Sequence, residues 1–170
     1  MKNVLVEKAI DGSRDALEVL LKEHYQQLYK TAFLYVKNES DALDIVQDAV
    51  IKIMNKINTL QFPEYFTTWA VRVVIFTSLD HLKKNAAFME EMDEQVCAPG
   101  QGLSNEEQLD IYEGIRRLPQ HLQEVTILHY FYGRKVKEIS AVLNEPFGTT
   151  KYKLHEARAK LKGYLEEGEQ

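Results

Sequence analysis

Along most of the chain, apolar residues recur three and four positions apart, the spacing of a helix that buries one face. Leu17, Leu20, Leu21, Tyr25, Leu28, Ala32 and Tyr35 form the first clear run and predict a helix from Arg14 to about Lys37. Asp11-Gly12-Ser13 separates it from a short first helix, and the Ser13 hydroxyl is placed to cap it. Asn38-Glu39-Ser40 interrupts the pattern. Ser40 is a fitting N-cap for a second long helix, Asp41 to Ile57, whose acids gather in the early turns at the positive end of the helix dipole. A connector from Asn58 to Phe62 leads to Pro63, at a first helical turn where proline is tolerated. The helix that follows, Glu64 to Lys84, contains Val71, Val73, Val74, Ile75 and Phe76, which also read as a buried strand. Trp69, Val73, Phe76 and Asp80 carry a helical period through the run and decide for helix.

Residues 85–103 lose the periodicity and hold Pro99-Gly100-Gln101-Gly102, the marks of a linker. Ser104-Asn105-Glu106-Glu107 has the form of a capping box and opens a helix to about Leu118. Pro119 opens the next, to about Tyr132, and Gly133 closes it. Lys135 to Leu143 is a short helix, Asn144 to Gly148 a turn, and Thr149 to about Leu165 the last helix. The pattern predicts an all-α protein: two small helical bundles, residues 1–84 and 104–170, joined by a flexible acidic linker, residues 85–103.

Composition narrows the class. A chain of 170 residues has room for one ordinary domain or two small ones, and 45% hydrophobic with 28% charged residues excludes a disordered or fibrous one. No apolar run approaches the roughly 20 residues of a membrane-spanning helix, and the first residues lack the long apolar core of a secretory signal. The chain reads as cytoplasmic, with no membrane insertion of its own. Its one cysteine, Cys97, excludes an internal disulfide framework and a multi-cysteine zinc site, and its acidic surroundings disfavour a reactive thiolate. Net charge is −5, against adhesion to DNA by bulk charge, but the distribution is uneven. Residues 1–84 balance 11 basic against 11 acidic groups, residues 85–114 carry eight acids and no Lys or Arg, and residues 115–170 carry ten basic and seven acidic groups.

The candidate chemistry is recognition. A short helix, a turn with Pro146 and Gly148, and a basic helix make a helix-turn-helix pattern. Thr150, Leu154, Ala157 and Leu161 share one face, suited to packing on Ile139 and Leu143, while Lys151, Tyr152, His155, Glu156 and Arg158 are directed elsewhere. Five basic groups and one acid between Thr149 and Lys162 suit phosphates and a major groove. The same pattern fits a solvated basic helix that only packs on its neighbours. Asp44, Gln47 and Asp48, with Met54 beyond, form a mixed stripe that fits a basic partner helix or plain solvent. Trp69 with Arg72, His81, Lys83 and Lys84 combines stacking and positive charge as single-stranded nucleic acid requires, and a tryptophan there equally fits a core. The five histidines are scattered, no phosphate loop is present, and no Ser or Cys is framed as a nucleophile. No catalytic site, metal site or cofactor is expected.

Two segments resemble bacterial sigma factors of the extracytoplasmic-function group, the small type with only the second and fourth sigma regions. One comprises Asp41-Ala-Leu-Asp-Ile-Val-Gln-Asp48, Phe66-Thr-Thr-Trp-Ala-Val-Arg72 and Leu79-Asp-His-Leu-Lys-Lys84. The other runs from Leu118-Pro119 to Leu161 through Asn144-Glu-Pro-Phe-Gly-Thr-Thr-Lys. The resemblance implies that Leu43, Asp44, Gln47, Asp48 and Met54 grip the β′ clamp helices of core RNA polymerase. It implies that Asn58 and its connector, with Trp69, Arg72, His81, Lys83 and Lys84, recognise and open the −10 element, where a base is flipped out and captured. Thr149, Lys151, Tyr152, Lys153, His155, Glu156 and Arg158 then fall on the recognition helix for the −35 element. The implied partners are core polymerase, including its β flap, promoter DNA and a membrane-anchored anti-sigma factor. The phosphodiester chemistry belongs to the core enzyme.

Four positions depart from the family pattern. Ile75-Phe76 stand where a polar pair is common, so a polar contact there is lost. Glu156 replaces a frequent basic residue, which predicts an altered −35 preference, since a carboxylate accepts from cytosine and repels phosphate. Thr150 replaces a usual valine, at small cost where its hydroxyl finds a backbone carbonyl. Two further readings stay open: a stand-alone helix-turn-helix regulator, which needs tight DNA binding without polymerase, and a helical adaptor that binds only proteins.

Overall fold

The computed structural model describes residues 2–91 and 106–168, which belong to two compact units. The linker centre with Cys97, and the Ser104 end of the expected capping box, lie outside the described residues. Among the described residues every regular element is helical.

The N-terminal unit contains α1 (Lys2–Ile10), α2 (Arg14–Val36), α3 (Glu39–Lys56) and α4 (Phe66–Glu91). Ser13 caps α2 as expected, its hydroxyl accepting from the Ala16 N–H at 3.3 Å. The cap of α3 is not Ser40. Lys37 takes a left-handed conformation at φ 54° and ends α2, which leaves Asn38 extended with its side-chain oxygen accepting from the Asp41 N–H at 2.8 Å. Asn38 Nδ2 also donates to the Asp41 carboxylate at 2.8 Å, so cap and third residue hold each other, while Ser40 lies within the first turn.

Leu17, Leu20, Leu28, Ala32 and Tyr35 of α2 meet Ala42, Ile45, Val46, Ala49 and Ile53 of α3 and Phe66, Ala70, Val71, Val74 and Ile75 of α4 in the buried core. Each fully buried aliphatic side chain contributes about 1.5–3 kcal/mol, far more than any surface pair in the unit. Thr31, Thr77 and Ser78 are buried too, and their hydroxyls donate to the carbonyls of Gln27, Val73 and Val74 one turn back, leaving no polar cost. After α3 a single 3-10 turn, Ile57–Thr59, and a second, Pro63–Tyr65, form the connector, pinned by buried Ile57 and Leu60. The fourth helix therefore begins at Phe66 rather than Glu64 and continues through residues 85–91, which the loss of periodicity had placed in the linker.

The C-terminal unit contains α5 (Glu106–Arg117), α6 (Gln120–Thr126), α7 (Val136–Leu143) and α8 (Phe147–Gly168). After α6 the chain widens into a π turn, Ile127–Phe131, and Gly133 at φ 60° reverses it. Buried Gln123 donates from Nε2 to the carbonyls of Arg116 and Leu118 at 3.1 and 2.7 Å, satisfying the open end of α5. The turn between α7 and α8 depends on Asn144, at φ 52°, with Asn144 and Glu145 N–H groups bonded back to Ala141 and Ser140. Gly148 is not the turn residue; it sits in the first turn of α8, which starts two residues before the expected Thr149.

Asn38→Ala is expected to destabilise the N-terminal unit by about 1 kcal/mol, whereas Ser40→Ala stays within about 0.5 kcal/mol. Urea unfolding followed by helical circular dichroism separates the two, and equal losses would return the cap to Ser40.

Candidate functional site

The faces that the two units bury decide what they present. On α3, burial of Ala42, Ile45, Val46, Ala49 and Ile53 turns the intervening positions outward. Leu43, Asp44, Gln47, Asp48 and Met54 are all exposed, so the four residues singled out by spacing and Leu43, added by the resemblance, share one outer stripe. Ile51, 57% exposed, stands among them, and the spacing argument missed it. Its position four residues after Gln47 and three after Asp48 is the signal that would have found it. Leu43, Ile51 and Met54 flanked by carboxylates suit a partner helix with apolar and basic side chains.

The second surface joins the connector to α4. Asn58 is exposed above buried Ile57 and Leu60. Phe62, also exposed, lies with its ring 5.8 Å from that of Tyr65, an aromatic platform that the sequence argument passed over. His24 holds the start of α4 to α2: its Nδ1 donates to the Leu20 carbonyl at 2.8 Å, and its Nε2 accepts from the Thr67 hydroxyl at 2.8 Å. Trp69, Arg72, Val73 and Phe76 form a half-buried stripe, with the Trp69 ring tilted against Phe66 at 6.3 Å and the Arg72 guanidinium 5.0 Å from the Phe76 ring centre. Trp69 is thus neither a full core anchor nor a free platform. Lys83 and Lys84 are exposed on later turns. His81 leaves this group: it turns toward α3, where its Nε2 lies 3.7 Å from the Asp41 carboxylate, and 3.1 Å from the Asn85 amide. Ile75 is wholly buried and Phe76 half-buried, so this pair supplies a core contact and a seat for Arg72.

The third surface is α8. Thr150, Leu154 and Ala157 are buried, as the spacing required, and Ala157 packs with Leu118, Leu122, Leu161 and Tyr164. Leu161 therefore continues the buried face onto α5 and α6 rather than onto α7. Thr149, Lys151, Tyr152, His155 and Arg158 are exposed, Tyr152 at 65%. Lys153 and Glu156 are half-buried. The Lys153 ammonium lies 2.5 Å from the Glu145 carboxylate, and the Thr150 hydroxyl donates to that same group at 2.6 Å instead of to a backbone carbonyl. Arg158 donates from Nε to the Tyr130 hydroxyl at 2.9 Å, which fixes its guanidinium beside the end of the π turn.

On α2, Lys22 bonds the Glu18 carboxylate at 2.6 Å and holds it below the usual carboxylate range; both are exposed, and the pair is a local surface feature. Among the described residues, no three His, Cys, Asp or Glu side chains gather as a metal site would require, and no helix is long and apolar enough to cross a membrane.

Two family models match this chain. The family model for sigma-70 region 2 matches residues 20–88, and that for sigma-70 region 4 matches residues 108–161. The RNA polymerase sigma factor SigV of Bacillus subtilis is 31% identical over 142 residues, covering 83% of this chain and 86% of its own. The ECF RNA polymerase sigma factor SigW of the same organism is 25% identical over 170 residues, covering 91% of each. The fold is that of the sigma factor RpoE of Bartonella quintana, solved in complex with the anti-sigma factor NepR, with a TM-score of 0.62, 20% identity, and coverage of 88% of this chain and 96% of that one.

The outer stripe of α3 lies outside the buried core. Ile51→Ser is expected to leave the unfolding free energy within about 0.5 kcal/mol of the parent, and Ile45→Ala, on the buried face, to cost about 2–5 kcal/mol. Thermal and urea unfolding of both variants check this; a comparable loss at Ile51 would make it a core residue.

Proposed function

The chain belongs to the sigma-70 family of RNA polymerase sigma factors, in its extracytoplasmic-function group, and from that premise we propose a division of labour among its three surfaces. As a sigma factor it binds core polymerase and directs it to promoters. The stripe of Leu43, Asp44, Gln47, Asp48 and Met54, with Ile51 at its centre, docks on the β′ clamp helices. The connector at Asn58 and the α4 stripe of Trp69 and Arg72, with Lys83 and Lys84 beyond, take the −10 strand, where Phe62 adds a stacking surface. The exposed face of α8, Thr149, Lys151, Tyr152, His155 and Arg158, enters the −35 major groove with Glu156 at its edge. His81, directed at Asp41, serves this scheme from the side of α4 rather than from the strand path.

One observation carries the reading above the alternatives: a single chain presents an outward apolar and acidic stripe on α3 as well as an outward basic and aromatic face on α8. A stand-alone repressor has no use for the first, and a protein adaptor none for the second. The chain works in the cytoplasm, leaves bond formation to the core enzyme, and contacts the β flap through its C-terminal unit. An anti-sigma factor, as in the RpoE complex, holds it inactive until a signal arrives, and the family resemblance favours a membrane-anchored one.

A gel-shift series on promoter fragments, with chain alone, core alone and both, tests the scheme. Both together are expected to retard DNA sequence-specifically, the chain alone not; tight binding by the chain alone would establish the stand-alone regulator instead. Ile51→Arg is expected to weaken association with core by tenfold or more, about 1.4 kcal/mol, with folding intact, and unaltered affinity would remove the stripe from the interface.

Glu156→Arg is expected to change the base ranking at one −35 position, worth about 1–3 kcal/mol there. Selection from a randomised −35 library reads it out, and an identical ranking would show that Glu156 contacts no base.

A further inference from the structure

The positive charge of α8 is not all available to DNA. Glu145, in the turn before the helix, uses both carboxylate oxygens inward: Oε1 accepts from Thr150 Oγ1 at 2.6 Å, and Oε2 lies 2.5 Å from Lys153 Nζ. Thr150 is fully buried, and the Glu145 and Lys153 side chains are only 15% and 19% exposed. The surface pairs Glu18–Lys22 and Glu166–Lys162, by contrast, have every partner more than 60% exposed. A charge-assisted bond is shorter and stronger than a neutral one, and partial burial removes the water that would otherwise compete for it. To neutralise a phosphate, Lys153 would have to abandon a half-buried carboxylate and leave an unpaired anion beside the DNA.

The two bonds also reach from one turn residue to two successive turns of α8, five and eight positions on. They therefore tie the axial rotation of the helix to the turn that Asn144 and Pro146 shape. We propose that Glu145 is a positioning residue of the recognition helix, and that Lys153 belongs to this clamp rather than to the phosphate contacts. The inference rests on α8 reading the −35 element, and of the three cations assigned to that element, Lys151, Lys153 and Arg158, it leaves Lys151 and Arg158 facing the DNA, with His155 and Tyr152 between them.

The test is the salt dependence of promoter binding by the chain assembled with core polymerase. Each phosphate contact adds about one to the slope of log affinity against log salt. Lys151→Ala is expected to weaken binding and to lower the slope by about one, Lys153→Met to leave the slope unchanged, and Glu145→Gln, which frees the Lys153 ammonium, to steepen it by about one. The double variant Glu145→Gln/Lys153→Met should return to the parental slope. A slope lowered by Lys153→Met and indifferent to Glu145→Gln overturns the clamp while α8 keeps its role on DNA. Indifference to Lys151→Ala and to both other variants overturns the −35 reading of α8, and the clamp with it. Should Lys153→Met fail to fold, the nearly isosteric Glu145→Gln decides alone, a steeper slope supporting the clamp and an unchanged one refuting it.

Discussion

The rotation of a helix about its own axis is set by the side chains it buries, and in both units that rotation determines what is left for a partner. Ala42, Ile45, Val46, Ala49 and Ile53 commit one face of α3 to the core, where the larger of them each contribute about 1.5–3 kcal/mol. Exposed ion pairs, at about 0–1 kcal/mol, cannot turn the helix against that preference. Leu43, Ile51 and Met54 must then face water. A lone exposed apolar residue carries little meaning, but three on one stripe of one helix forgo burial together, and a partner surface is the physical setting in which they recover it.

The same constraint shapes α8, with one addition. Burial of Thr150, Leu154 and Ala157 sets the helix rotation, but a helix entered from a short turn also needs its starting point defined. Asn144 supplies the left-handed step and its successor supplies the tie, so the turn and the first turns of the helix form one hydrogen-bonded unit. Precise placement of the exposed side chains of such a helix depends on second contacts of this kind as much as on the hydrophobic seat.

Helical periodicity made nearly every element legible in the sequence, because a 3.6-residue repeat survives whatever the helix packs against. The errors fall where the outcome depends on a neighbour. Asn38 and Ser40 are both good caps, and the choice was settled by Lys37 going left-handed, which no apolar pattern records. In α4 the period through Trp69, Val73 and Phe76 correctly excluded a strand, yet it traces the outer, half-buried stripe. The inner face includes Thr68, Thr77 and Ser78, polar residues that hide a core position from a hydrophobicity count because hydroxyls can bond within their own helix. Gly148 looked like the turn residue by type, and Asn144 holds the positive φ. Among candidate contacts, Lys153 and Lys151 are indistinguishable in sequence. Only the fold shows that one is returned to Glu145 and the other faces solvent.

Withholding Lys153 sharpens a contrast already present in the net charge of −5. Non-specific affinity for DNA is set largely by the number of phosphates neutralised, and at physiological salt it rests at about 10⁻⁴–10⁻⁶ M even for proteins with many such contacts. On the proposed reading, a recognition helix with few cations left for phosphate, in an acidic chain, lies at the weak end. Two weak readers gain affinity from one another only when their separation matches the DNA, since the second binding step then becomes intramolecular. In the proposed scheme the polymerase supplies that separation, and the exposed apolar stripe of α3 is the surface by which it would hold the chain. On that proposal, weak DNA contacts and a strong protein contact are two parts of one arrangement, in which promoter recognition is confined to the chain that has already found its polymerase.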